Sequence, residues 1–123
     1  MSLANVVVPV GIAQDAVATA LDNSRTSINE YVSELQARRD TVMNQLEGLP
    51  FGSPDGGWSL LLRVSDFGMD GEAMSRRLLD HGVCATAMTG WGETHGAQYI
   101  RFVFANEPVE RLELLGARLR KAL

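Results

Sequence analysis

The stretch QYIRFVFA, residues 98–105, decides how the chain folds. It is rich in β-branched and aromatic residues and reads as a strand. Tyr99, Arg101 and Val103 share one face, and Ile100, Phe102 and Phe104 share the other. A strand apolar on both faces is expected to be central and covered. Arg101 in its middle then needs a partner, because an unpaired buried charge is costly. Two readings stay open. One is an internal carboxylate such as Asp66 or Glu93. The other is a pocket that receives a carboxylate or phosphate and holds it bidentately.

Working outward, WSLLLRV (58–64) reads as a strand with Trp58, Leu60, Leu62 and Val64 on one face. The turn-forming FGSPDGG (51–57) precedes it. VCATAM (83–88) reads as a further strand, with Cys84 as a small buried apolar residue. TGWGETHGA (89–97) is a Gly-rich loop, short enough for an antiparallel pair. Asp70 caps a helix with Glu72 in its first turn and Gly82 as its stop. Met74 and Leu78 face inward from it, while Arg76 and Arg77 are solvated. Asn106 is expected to cap the last helix, with Glu107 and Pro108 in its first turn. Its core stripe is Val109, Leu112, Leu115 and Leu119.

Residues 1–10 have no helical period. GIAQDAVATAL (11–21) is Ala-rich and predicts a short helix ending near Asp22-Asn23. A second helix runs from about Ser24 to Glu47, with the stripe Ile28, Tyr31, Leu35, Val42 and Leu46. Gly48 and Pro50 stop it. The order α, α, β, α, β, β, α predicts an α+β fold: long N-terminal helices and a small, mainly antiparallel three-stranded sheet covered by helices. The expected division is 1–23, a terminal segment with its short helix, and 24–123, the folded domain with its long helix.

Of 123 residues, 11 are basic and 15 acidic, for a net charge of −4; ten of the basic residues are Arg and one is Lys121. The acidic balance argues against nucleic acid as a partner. No apolar run is long enough to span a bilayer, since Val6–Val10 is short and broken by Pro9. No charged n-region precedes an apolar h-region, so a cytoplasmic protein is expected. One cysteine and two scattered histidines, His81 and His95, offer no metal-ligand cluster. His81 precedes a helix-ending glycine and fits a C-terminal cap. No serine has a nearby His–Asp arrangement. Trp91 and Trp58 each read either as a packed core ring or as a pocket wall. Gly90 reads either as a turn residue or as a place where backbone approaches a ligand. Arg38-Arg39-Asp40 reads as a solvated charge cluster.

Five pieces in order resemble the C-terminal small domain of class I/II aminotransferases, the pyridoxal-phosphate enzymes of fold type I. They are the Ala-rich helix after Gln14, Arg38-Arg39-Asp40, Pro54-Asp55-Gly56-Gly57-Trp58, Gly82-Val83 with Thr89-Gly90-Trp91-Gly92, and Tyr99-Ile100-Arg101-Phe102-Val103-Phe104-Ala105. The family's proline before the Gly-rich turn is absent, the stretch reading Thr86-Ala87-Met88-Thr89-Gly90.

The resemblance implies amino-group transfer between an amino acid and a 2-oxo acid. It implies that Arg101 binds the substrate α-carboxylate, with Trp58, Gly90 and Trp91 as possible pocket lining. It implies pyridoxal 5'-phosphate in the complete enzyme. That cofactor is not expected on this chain alone, because Lys121 is the one lysine and lies on a terminal helix. The long helix would link small and large domains or pair two copies into a homodimer. Two alternatives stand beside this: a non-catalytic anion-binding or dimerisation module, and the aminotransferase-like effector domain of a transcription regulator.

Overall fold

The computed structural model describes residues 10–123, and only the backbone of residues 24–27. Residues 1–9, with most of the Val6–Val10 run, lie outside the described residues. The element order is α1 (Gly11–Gln45), β1 (Ser59–Arg63), α2 (Gly71–Asp80), β2 (Thr86–Ala87), β3 (Tyr99–Val103), α3 (Val109–Leu112) and α4 (Leu115–Ala122). Packing separates two compact units, Met1–Glu34 and Leu35–Leu123. The division expected from the sequence falls after residue 23.

The sheet order is β1-β3-β2, antiparallel throughout. The expected small three-stranded sheet is borne out, and QYIRFVFA supplies its central strand. Leu60 faces Phe102 and Leu62 faces Ile100 across β1 and β3. These four residues, with Val64 and Phe104, are buried. They pack with Met74 and Leu78 of α2, Leu119 and Ala122 of α4, and Val42 and Leu46 from the end of the first helix. Side chains of the second sheet face are only half-buried or exposed: Ser59, Leu61, Arg63, Tyr99, Arg101 and Val103. The sheet is therefore covered on one face within this unit, not on both as the apolar pattern of β3 predicts.

Local chemistry explains α2. Asp70 accepts a hydrogen bond from the Ala73 N–H at 2.8 Å, satisfying one of the free donors of the first turn. At the other end the Gly82 N–H donates to the Leu79 carbonyl and the Val83 N–H to that of Leu78. This pair of bonds is a Schellman ending and needs a left-handed residue, supplied by Gly82 at φ +74. His81 occupies the C-cap through its own N–H.

Four local expectations are corrected. The first two helices are one, Gly11–Gln45. No Gly or Pro interrupts residues 12–45, and the Asn23 amide donates to the Thr19 carbonyl at 2.8 Å, so this polar residue sits within the helix. The last helix begins after Pro108, not Asn106, and is divided into α3 and α4. The strand read over 83–88 contracts to Thr86–Ala87. Cys84 lies ahead of it and is exposed, while Val83 and Ala85 on either side point into the core.

Gly116 lets α4 approach the end of the first helix. Its N–H donates to Gln45 Oε1 at 3.1 Å, and a Cβ there would lie 2.8 Å from the Gln45 carbonyl oxygen. Among the described residues no helix is long and apolar enough to cross a membrane.

Gly116→Val is expected to lower the unfolding free energy by about 1–3 kcal/mol through overpacking, read from the urea midpoint. The Cys84 thiol is expected to react stoichiometrically with a disulfide reagent in the native state, with no denaturant; protection until unfolding would place it in the core.

Candidate functional site

Arg101 sits midway along the central strand, opposite Leu61 of β1 and Thr86 of β2. The burial of Ile100 and Phe102 on either side turns it to the open face. Both carboxylates offered as internal partners are elsewhere engaged or out of reach. Asp66 accepts from Arg63 at 2.8 Å, an exposed pair that holds the Arg63 pKa above its usual value, mainly by hydrogen bonding and then by charge. Glu93 forms no ion pair with Arg101 among the described residues. The Arg101 Nε is buried and has no hydrogen-bond partner among the described residues. The guanidinium instead lies over the Trp91 ring, its Cζ 4.7 Å from the ring centroid, a cation–π contact.

A cleft of about 360 Å³ shares Trp91 with this contact and is lined also by Leu61, Met88, Glu93, His95 and Tyr99, among others, but not by Arg101 or Gly90. Trp91 and Arg101 are thus brought together. Trp91 is 67% exposed, so neither it nor Trp58, at 59%, is a core ring. Trp58 lies just before β1 and does not line this cleft. Gly90 shares the turn of Trp91, with open space where its Cβ would be. Leu61, Met88 and Tyr99 escaped the sequence reading as cleft residues; strand alternation alone placed Leu61 and Tyr99 on the Arg101 side. Arg38 is half-buried and donates to the Ala105 carbonyl, two residues beyond β3. Arg39 pairs with Asp40 at 2.7 Å. Part of the supposed solvated cluster thus anchors the end of the central strand.

Arginine offers a rigid fork of donors suited to a carboxylate or phosphate. It offers no acid–base chemistry near neutral pH. Among the described residues no group of three His, Cys, Asp or Glu is placed to hold a metal.

No family model matches the chain. It is 31% identical over 105 residues to a probable aspartate aminotransferase of Methanocaldococcus jannaschii, covering 85% of this chain and 28% of that protein. It is 29% identical to aromatic-amino-acid aminotransferase 2 of Thermococcus litoralis, covering 97% of this chain and 31% of the relative. Among solved structures, a mutant aspartate aminotransferase of Thermus thermophilus matches with a TM-score of 0.82 and 27% identity, over 99% of this chain and 34% of that one. The resemblance read from the motifs is therefore shown. The homologues are aminotransferases, and this chain spans about a third of their length, as a small domain would.

Pyridoxal phosphate, the cofactor implied by the resemblance, does not fit the residues described. Lys121, the chain's one lysine, is exposed in the last turn of α4 beside Arg120. It does not line the cleft near Arg101.

If Arg101 has no internal partner, its replacement orphans nothing. Arg101→Met is expected to change stability by less than about 1 kcal/mol, or to raise it, in urea unfolding. An internally paired buried arginine would cost about 3–5 kcal/mol.

Proposed function

We propose that this chain is the small-domain portion of a pyridoxal-phosphate-dependent aminotransferase and that Arg101 binds the substrate α-carboxylate. The observation that carries this is the Arg101 guanidinium: on the open side of a central strand, without a carboxylate partner among the described residues, its Nε buried and unsatisfied. A buried donor left unpaired costs about 1–3 kcal/mol, and a ligand carboxylate would relieve that cost. The homologues' names and the span of about a third of their length support the setting.

In this reading the chain holds and orients the carboxylate end of an amino acid or 2-oxo acid. The backbone of β3 fixes the base of the arginine side chain before substrate arrives, so less ordering entropy is lost on binding. The cofactor, the Schiff-base lysine and the proton transfers belong to the rest of the enzyme, and the chain by itself is inactive. The location is cytoplasmic.

The homodimer or self-association reading has its own observation. Within the unit Met1–Glu34, Ile12, Val17, Leu21, Ile28 and Tyr31 are large, apolar and more than half exposed. Such a surface calls for a protein partner.

Pyruvate, as the smallest 2-oxo acid, is expected to bind the wild-type chain and to bind Arg101→Lys about tenfold more weakly or worse, by NMR titration. Loss of a bidentate charge-assisted bond sets that scale. Equal binding would remove Arg101 from the role. Treatment with pyridoxal phosphate and borohydride is expected to leave no stoichiometric adduct; one mole per mole with turnover would overturn the assignment of catalysis to the rest of the enzyme.

A further inference from the structure

We infer that Trp91 is the positioning residue for Arg101: its ring holds the guanidinium in place to receive a carboxylate, without neutralising its charge. This rests on the reading of Arg101 just given.

An arginine has several rotatable bonds, and its fork is normally oriented by the acceptors it meets. Here Nε meets none, and no carboxylate pairs with the guanidinium among the described residues. What the guanidinium does meet is the Trp91 ring, at 4.7 Å from Cζ to centroid, well inside cation–π range. The difference between the two kinds of contact matters. An acceptor fixes the fork by consuming its N–H groups and neutralising its charge. A ring attracts the cation without supplying a carboxylate, so the positive charge stays available to a ligand.

The ring is itself tied to the strand it serves. The Trp91 N–H donates to the Met88 carbonyl at 2.9 Å. The Met88 N–H donates in turn to the Tyr99 carbonyl at 3.1 Å, two residues from Arg101. Gly96 closes the loop, its N–H donating to the Gly92 carbonyl at 3.0 Å. A Cβ at Gly96 would lie 2.4 Å from the Met88 carbonyl oxygen, so the loop's return leg lies directly on the residue that anchors Trp91. Core burial does not account for Trp91, which is two-thirds exposed.

The test uses the whole chain, with Trp91→Leu and Trp91→Phe. In the wild type, the Arg101 Nε–H resonance, assigned by its loss in Arg101→Lys, is expected to be displaced upfield by the ring current. It should stay displaced in Trp91→Phe and return toward the free-arginine position in Trp91→Leu, with the amide signals of Ile100 and Phe102 unmoved. Pyruvate should bind Trp91→Leu about two- to fivefold more weakly than wild type, and Trp91→Phe within about twofold of it. A ring effect absent from the wild type, or equal pyruvate binding by Trp91→Leu and wild type, would overturn the role of Trp91 alone. No pyruvate response at Arg101 in the wild type would overturn the carboxylate reading, and this inference with it.

Discussion

The alternation of β3 is the constraint on which the rest of the molecule depends. Ile100, Phe102 and Phe104 are all buried and pack against residues of all three longer helices. Because strand side chains alternate with a period of two, their burial sends Tyr99, Arg101 and Val103 to the opposite face. A one-residue slip would drive the guanidinium into the core and expose three large apolar side chains. The same contacts that stabilise the unit therefore set the register that presents Arg101. Antiparallel pairing on both edges holds that register without a long connection.

The open face of the sheet follows a different logic from the core. Its charged residue on β1, Arg63, is satisfied by Asp66 as an ordinary exposed ion pair. Its charged residue on β3, Arg101, is not satisfied by a carboxylate among the described residues. Such a departure from complete polar pairing is uncommon in folded proteins. The Trp91 contact moderates the departure without ending it, since an aromatic face attracts the cation but cannot accept from the buried Nε in the manner of a carboxylate.

Much of this was legible in the residues. The Asp70 cap, the Gly82 ending, the Met74 and Leu78 stripe and the antiparallel sheet all rest on short-range rules of backbone bonding and side-chain spacing. The errors fall where a local signal competes with a larger context. Asp22-Asn23-Ser24 looks like a helix boundary, yet Asn23 can return its amide to the Thr19 carbonyl and remain in the helix. Asn106 looks like a cap, yet Pro108 takes the N-cap position. Cys84 has the composition of a strand interior, but Val83 and Ala85 are the residues that turn inward. In the candidate site, the need of Arg101 for a partner was legible from its setting in the central strand. Its contact with Trp91 was not, because the two lie ten residues apart across an irregular loop.

By itself the sequence determined the α+β class, the central strand, most of the core and the one arginine in the middle of that strand. These are consequences of periodicity and of the cost of burying charge. Only the tertiary structure decided that Asp66 belongs to Arg63, that the second sheet face is open, and that the Arg101 guanidinium rests on Trp91. Those outcomes depend on which side chains meet in space once register and loop path are set. A single arginine admits several partners in sequence, and geometry selects among them.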